Sequence, residues 1–296
     1  MRLAKLKIET HSHEAKKQAE TQAPFMDFGD AINVMLKTPP LRPTAKPIQR
    51  TGIDQWLNQM HQGDCIELMN RMPSESVGLI VTSPPYNLRN STGNGMKDGR
   101  GGKWEKAQLI NGYQTHDDNM PHDEYAEWQR RCLRAMMRLL KNDGAIFYNH
   151  KWRVQGGVLQ DRHDIVSEFP VRQIIIWQRS GGINFNAGYF LPTYEVIYMI
   201  CKPDFKLAPK ANAQGDVWNI PQESNNPHPA PFPVELAQRC IRSTTAQIVL
   251  DPFAGSGSTA IAAEACGRQW IGIDVSQEYC RMANERIQNA RRMLTG

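Results

Sequence analysis

The feature that most constrains the fold is a strand, turn, helix and strand in close succession near the end of the chain. Apolar residues 248–250 lead through Asp251 into a turn that contains Gly255 and Gly257. Residues 259–266 are rich in alanine and predict a helix, and a second apolar run then ends at Asp274. A short apolar strand before a glycine-rich turn and a helix is typical of a βαβ unit in an α/β domain.

The two glycines and the acid of this unit predict a nucleotide-type ligand. Gly255 and Gly257 let a ligand approach the backbone where the helix N-terminus offers free N–H groups. Asp274 follows Gly255 by 19 residues, close to the roughly 20 at which an acid meets ribose hydroxyls in nucleotide-binding units. The unit therefore predicts an adenosine-containing cofactor. It leaves the cofactor's identity open, because the glycines with Ala260 also fit the fingerprint of an NAD-dependent oxidoreductase.

A second feature, Thr-Ser-Pro-Pro-Tyr-Asn at residues 82–87, follows an apolar run that predicts a buried strand. Two consecutive prolines stiffen the backbone, since each fixes φ and pushes the preceding residue toward extended geometry. The stiff turn carries the Ser83 hydroxyl, the Pro84 carbonyl and the Tyr86 ring, which together suit a flat polar group. An ordinary surface turn is the alternative, because proline and serine are common in turns.

Composition restricts the classes of protein to which the chain can belong. The six cysteines contain no Cys-x-x-Cys pair, so we expect neither a metal site nor a disulfide framework, and we predict a cytoplasmic protein. No apolar run is long enough to span a membrane. The formal net charge of +5 and the pI of about 8.9 favour a polyanionic partner.

The chain divides into regions of different composition. Residues 1–50 are basic and contain many prolines, which predicts a flexible extension, and residues 51–296 are expected to form the folded domain. Residues 88–120 are rich in glycine and basic residues and predict a mobile loop beside the Pro-Pro-Tyr turn.

The Pro-Pro-Tyr turn resembles motif IV of the amino-methylating DNA methyltransferases, which reads Asp/Ser/Asn-Pro-Pro-Tyr. Because the glycine-turn unit follows motif IV, the chain resembles the β class of that family, over about residues 62–285. The resemblance implies an α/β fold with a doubly wound, mostly parallel sheet, Rossmann-like and permuted in motif order. It also implies S-adenosyl-L-methionine as cofactor, double-stranded DNA as substrate, and a target-recognition region at about residues 178–227.

The resemblance implies a catalytic set made of Ser83, Pro84, Pro85 and Tyr86. Hydrogen bonds from an exocyclic base amine to the Ser83 hydroxyl and the Pro84 carbonyl would free the amine's lone pair for direct methyl transfer. The base would leave the DNA helix to reach them, with Tyr86 stacked on its face.

The resemblance also implies a cofactor-binding set: Asp64, Phe232, Asp251, Phe253, Gly255, Ser256, Gly257 and Asp274. Asp274 would bind the ribose hydroxyls, Phe253 would pack near the adenosine, and the two glycines would clear space for the methionine portion. Phe232 belongs to a segment that resembles motif X, which walls the methionine end of the cofactor. Asp251 either orients the turn or binds the cofactor. Asp64 lies near the cofactor or is the N-cap of a following helix.

The target base is predicted from two residues that point in different directions. Ser83 is commoner among cytosine-N4 enzymes, whereas Asn87 after the tyrosine is more typical of adenine-N6 enzymes, and N6-adenine is slightly favoured. The other functions considered are an NAD-dependent oxidoreductase, which leaves the Pro-Pro-Tyr turn unused, a protein-glutamine methyltransferase, whose motif order is reversed, and a non-catalytic DNA-binding module. A homodimer and a partner restriction endonuclease are further possibilities.

Overall fold

A single eight-stranded sheet organises the protein in this computed structural model, which describes residues 52–87, 120–155, 157–179, 187–223 and 232–295. The predicted extension at 1–50 and nearly all of the predicted loop at 88–120 lie outside the described residues. So do 180–186 and 224–227 of the predicted recognition region.

The strands and helices have the following bounds. The strands are β1 Gln59–Gln62, β2 Val77–Thr82, β3 Leu140–His150, β4 Arg153–Gln155, β5 Val158–Gln160, β6 Val171–Gln178, β7 Tyr194–Cys201, β8 Val217–Asn219, β9 Ile248–Asp251 and β10 Gln269–Asp274. The helices are α1 Cys65–Arg71, α2 His122–Leu139, α3 His163–Val166, α4 Val234–Arg242, α5 Ser258–Ala265 and α6 Gln277–Thr295, with 3-10 turns at Ile53–Trp56 and Ala211–Ala213.

The strands of the large sheet lie in the order β1-β10-β9-β2-β3-β7-β6-β8. The first five are mutually parallel, β7 is antiparallel to both of its neighbours, and β8 is parallel to β6. The chain leaves β9 through α5 toward one edge and leaves β2 through α2 toward the other. The strand order therefore reverses between β9 and β2, where open α/β sheets bind their ligands. The predicted mostly parallel, doubly wound fold is confirmed.

Helices cover both faces of the sheet, which explains why β2 is a continuous apolar run. Leu79 and Val81 of β2 belong to a buried cluster with residues of α4 and α5. Ile80 is also buried but points to the opposite face of the sheet. Buried Met69 of α1 and Leu133 of α2, like Ile80, do not belong to that cluster, as expected of residues that pack on the opposite face. The central strands are thereby fixed from both sides, and their carboxyl ends are held in place.

Two edge strands differ from the sequence-based expectation. The polar sequence Gln-Met-His-Gln of β1 gives no strand signal, yet β1 pairs in parallel with β10 at the sheet edge. Strand β8 lies within the predicted recognition region, was not predicted as a strand from the sequence, and pairs with β6. Buried Trp218 anchors β8, with the Arg239 guanidinium 4.7 Å above its ring centroid. Tertiary packing, rather than the propensity of their own residues, therefore makes β1 and β8 strands.

No helix among the described residues is long and apolar enough to cross a membrane.

Two glycines at the ends of α5 give a matched stability test. Gly257 (φ +80°) and Gly267 (φ +65°) are both left-handed, but a Cβ on Gly257 would lie 3.0 Å from Ala283 Cβ, whereas Gly267 has open space. We expect Gly267→Ala to lower the unfolding free energy by roughly 1 to 2 kcal/mol. Gly257→Ala should cost about 1 kcal/mol more, from overpacking. Urea denaturation measures both, and equal losses would show that the α5–α6 contact carries no strain.

Candidate active site

A buried carboxylate, Asp251, joins the carboxyl ends of β2 and β9. Its Oδ1 accepts hydrogen bonds from Thr82 Oγ1 at 2.7 Å and from the Phe253 N–H at 3.0 Å, and its Oδ2 accepts from Thr259 Oγ1 at 2.7 Å. Burial raises the pKa of Asp251 to about 6, against the lowering effect of these donors. These bonds fit the orienting role for Asp251, since its carboxylate ties two strands to the first turn of α5. Asp251 also lines the cavity described next, and its cofactor-binding role stays a prediction.

A cavity of about 290 Å³ opens where these two strands end. The Pro-Pro-Tyr turn and the glycine turn both line it. Ten of the predicted site residues lie in its wall: Asp64, Ser83, Pro85, Tyr86, Phe232, Asp251, Phe253, Gly255, Ser256 and Asp274. Pro84 and Gly257 are not among the lining residues. The two sequence features that predicted function, 170 residues apart in the chain, thus meet at one cavity.

Asp274 lies at the end of β10, between the glycine turn and α6. Its carboxylate accepts hydrogen bonds from the Gly255 N–H at 2.9 Å and from the Ser276 N–H at 2.8 Å, while burial raises its pKa. Each oxygen keeps a further lone pair. The acid is therefore held rigidly at the cavity wall with acceptor capacity for a ligand hydroxyl.

The rest of the glycine turn is fixed from behind. The space next to Gly257 is filled by Ala283 of α6, so the missing side chain of Gly257 makes room for helix packing. Arg286 of α6 donates from Nη1 to the Ser256 carbonyl at 2.6 Å and to Ser256 Oγ at 2.7 Å, and pairs with Glu223 at 3.2 Å. No local pattern in the sequence identifies Arg286.

Asp64 caps α1, because its Oδ1 accepts a hydrogen bond from the Glu67 N–H at 2.9 Å. It also lines the cavity, so its two sequence-based interpretations are compatible with each other.

Aromatic and apolar side chains complete the cavity wall. Trp128 of α2 packs edge-on against Phe253 with ring centroids 5.7 Å apart, and Val275 and Tyr279 follow Asp274. None of the three was predicted, although Val275 and Tyr279 could have been inferred from their closeness to Asp274 in sequence. Carboxylates beside aromatic rings fit a ligand with a ring, hydroxyl groups and positive charge, which is the chemistry of S-adenosyl-L-methionine.

Helix α2 holds the Pro-Pro-Tyr turn. Tyr125 Oη donates to the Pro85 carbonyl at 2.8 Å and also lies 2.7 Å from His150 Nε2, and Gln129 Nε2 donates to the same carbonyl at 3.3 Å. Tyr125, Trp128 and Gln129 share one side of α2 through their i, i+3, i+4 spacing, which is the signal that could have identified them. No described residue donates a hydrogen bond to the Pro84 carbonyl.

Tyr86 is buried, with only 8% of its surface exposed. One face of its ring stacks on His150, with centroids 4.8 Å apart and planes 30° apart. Its hydroxyl lies 2.6 Å from Ser83 Oγ, 2.7 Å from Asn149 Nδ2 and 3.0 Å from Glu195 Oε2. Asn149 and Glu195 were not predicted, because they are the end of one strand and the start of another with no local motif.

Asn87 does not line the cavity. It is fully buried with φ +56°, its side chain donates to the Met120 carbonyl at 2.8 Å, and its own carbonyl accepts from Arg153 Nη1 at 2.9 Å. Asn87 therefore ends the turn, since asparagine tolerates left-handed backbone better than most residues. No cluster of three or more His, Cys, Asp or Glu that could hold a metal ion occurs among the described residues.

Comparison with known proteins identifies the chemistry of this site. A protein-family model described as DNA methylase matches residues 77–285. The chain is similar to the type II methyltransferase M.BglII of Bacillus subtilis, with 27% identity over 274 residues that cover 77% of this chain and 68% of the relative. It is also similar to the putative methylase YubD of Escherichia coli (strain K12), with 30% identity over 241 residues that cover 80% of this chain and 93% of the relative.

A solved structure shares the fold. A putative DNA modification methylase from Thermus thermophilus, complexed with S-adenosyl-L-methionine, aligns with a TM-score of 0.58 and 27% identity, over 78% of this chain and 93% of that one.

The raised pKa of Asp251 predicts a pH-dependent stability. With a pKa of about 6 in the folded protein against an ordinary 3.8, the native state binds this proton more tightly than the unfolded chain does. Stability from Asp251 should therefore decrease as the pH rises from about 4 to about 6, by roughly 3 kcal/mol. Urea denaturation of wild type and Asp251→Asn at several pH values isolates this effect. The unfolding free energy of wild type minus that of Asp251→Asn should fall as the pH rises. A value that stays constant or increases with pH would contradict the assignment.

Proposed function

This chain belongs to the DNA methylase family and is an S-adenosyl-L-methionine-dependent DNA amino-methyltransferase, and we propose that it methylates N6 of an adenine that has left the DNA helix. The observation that carries the proposal is the meeting of two walls at one cavity. Ser83 and Tyr86 form one wall, and Asp274 with the glycine turn forms the other.

The glycine-turn side is proposed to bind the cofactor. S-adenosyl-L-methionine supplies a methyl group made electrophilic by its positively charged sulfur. Asp274 accepts hydrogen bonds from the ribose hydroxyls, and Phe253 with Trp128 packs against the adenosine. Gly255 leaves its backbone open to the ligand, and the carboxylates of the cavity wall favour positive charge.

The Pro-Pro-Tyr side is proposed to hold the target amine. Ser83 Oγ and the Pro84 carbonyl accept hydrogen bonds from the two N–H groups of the amine, which draws the nitrogen lone pair out of conjugation with the ring. Tyr86, supported from behind by His150, offers an aromatic surface to the base. Catalysis then rests on positioning and on the exclusion of water by the buried walls.

Base flipping is part of the proposal, because a base within a duplex cannot enter a cavity at the carboxyl ends of two buried strands. Unstacking costs a few kcal/mol, which contacts with the extruded base offset. The net charge of +5 supports binding of the DNA backbone.

Adenine is proposed from the resemblance of Asn87 to the adenine-specific members of the family. Cytosine N4 is the second candidate, and Ser83 is the observation that favours it. The three other functions considered from sequence lose support, because a DNA methylase model matches across both motifs.

The biological setting is also proposed from the relatives. M.BglII is named a type II methyltransferase, which supports a modification enzyme that acts with a restriction endonuclease in the cytoplasm. A homodimer remains a prediction.

Exchanging one residue on each wall separates the two halves of the site. Tyr86→Ala should lose most methylation of DNA while keeping S-adenosyl-L-methionine affinity within a few-fold. Asp274→Ala should weaken that affinity at least 10-fold, because an alanine cannot accept the ribose hydroxyls. Glu278→Ala, at an exposed acid in the first turn of α6 four residues further along the chain, is the matched control and should bind normally. Calorimetric titration and methyl incorporation measure both effects; normal methylation by both site variants at limiting cofactor would refute the assignment.

The identity of the methylated nucleoside tests the proposed target. DNA treated with the enzyme and cofactor is digested to nucleosides and analysed by mass spectrometry. We expect N6-methyldeoxyadenosine, whereas N4-methyldeoxycytidine would replace adenine by cytosine in the proposal.

A further inference from the structure

The geometry points to Glu195 as a positioning residue that fixes the hydroxyl hydrogens of Tyr86 and Ser83, so that Ser83 Oγ faces the cavity as a hydrogen-bond acceptor. This inference rests on the proposed function, because it concerns how the same site receives an amine. Glu195 has no motif of its own and does not line the cavity. It acts through Tyr86.

Glu195 begins the buried part of β7 with only 6% of its surface exposed. Its Oε1 pairs with Arg179 Nη1 at 3.2 Å, and the Arg179 side chain is 13% exposed. Its Oε2 lies 3.0 Å from Tyr86 Oη and 2.8 Å from Asn149 Nδ2. A buried carboxylate needs a paired charge and hydrogen-bond donors, and here both are present.

The hydrogens in this network can be assigned by counting. A carboxylate paired with a guanidinium only accepts hydrogen bonds, so the 3.0 Å contact requires Tyr86 Oη to donate its single hydrogen to Glu195. The hydroxyl of Tyr86 then has no hydrogen left for Ser83. The 2.6 Å contact between Tyr86 Oη and Ser83 Oγ therefore requires Ser83 to donate.

Asn149 supports the same assignment. Its Nδ2 lies 2.7 Å from Tyr86 Oη, 2.8 Å from Glu195 Oε2 and 3.3 Å from Ser83 Oγ. The reverse amide orientation would set its oxygen against the Glu195 carboxylate. Asn149 Nδ2 is therefore a donor, and this group and the hydroxyls of Tyr86 and Ser83 each face an acceptor.

The consequence is a Ser83 oxygen with its hydrogen directed away from the ligand. One lone pair of Ser83 Oγ accepts from Asn149 Nδ2 at 3.3 Å and the other is left for the cavity, which is the polarity that an amine N–H requires. A chain of hydrogen bonds that ends in a carboxylate also increases the electron density on its first oxygen. Motif IV of the resembled family reads Asp, Ser or Asn at this position, and with serine here the nearest carboxylate of the chain of hydrogen bonds is Glu195, which polarises Ser83 Oγ through Tyr86.

A double-mutant cycle tests whether Glu195 acts through the Tyr86 hydroxyl. Tyr86→Phe removes the hydroxyl and keeps the ring on His150, while Glu195→Gln keeps the shape and allows an amide N–H to reverse the direction of the chain. We expect each to lower kcat by about 10- to 100-fold, with the Kd for S-adenosyl-L-methionine within 3-fold of wild type. The double variant should be no slower than the slower single variant, because both changes interrupt one chain.

Three results would overturn the inference. The first is an unchanged kcat in Glu195→Gln, and the second is an unchanged kcat in Tyr86→Phe. The third is a loss of kcat in the double variant equal to the product of the two single losses, as expected if the Arg179–Glu195 pair has a separate structural role. Tyr198→Phe is the matched control, since it removes another buried hydroxyl that bonds to the Asp161 carbonyl, and its kcat should stay within 2-fold.

Folding and the proposed function are tested separately. If a thermal scan shows that Glu195→Gln does not fold, the comparison of Tyr86→Phe with Tyr198→Phe still tests the inference. The inference requires kcat to fall in Tyr86→Phe and to stay unchanged in Tyr198→Phe. A wild-type protein that places no methyl group on a DNA amine would refute the proposed function and the inference with it. Normal wild-type activity with no loss in Tyr86→Phe refutes the inference alone.

Discussion

The hydrogen bonds of one buried carboxylate hold the two halves of the site together. Asp251 accepts from Thr82 and Thr259, which belong to the end of β2 and to the first turn of α5. Without these bonds, the reversal of strand order would still create a crevice, but the wall carrying Ser83 and the wall carrying Gly255 would be set only by the paired backbones. A charge with a raised pKa at the centre of the sheet is thus a structural cost that the position of the site requires.

The parts of the fold that the sequence predicted are those in which local pattern and tertiary environment agree. The buried runs at β2, β9 and β10 and the helix of the glycine turn were predictable, because strands covered on both faces are largely apolar. Edge strands β1 and β8 were not, since their pairing partners and one buried tryptophan, Trp218, stabilise them rather than their own residues. Propensity is a weak guide at an edge.

The residues of the candidate site likewise divide into those that the sequence could identify and those that it could not. Residues in the two glycine- and proline-rich turns could be identified because such backbones have a local sequence signature. Glu195 and Asn149 could not, because their role depends on the direction of β7, which runs antiparallel and so brings its first residues to the edge where β3 ends. A strand's direction leaves no trace in its own sequence, and buried hydrogen-bond partners far apart in the chain share no pattern.

The placement of β1 affects how the protein can be made. Strand β1 comes from the start of the described chain, yet it pairs with β10, which immediately precedes the last helix. A ribosome therefore releases the first strand long before its neighbour in the sheet has been synthesised. The nascent chain cannot pair β1 with its neighbour until β10, which ends at Asp274, has been synthesised, so a product that stops before β10 lacks this part of the cavity wall.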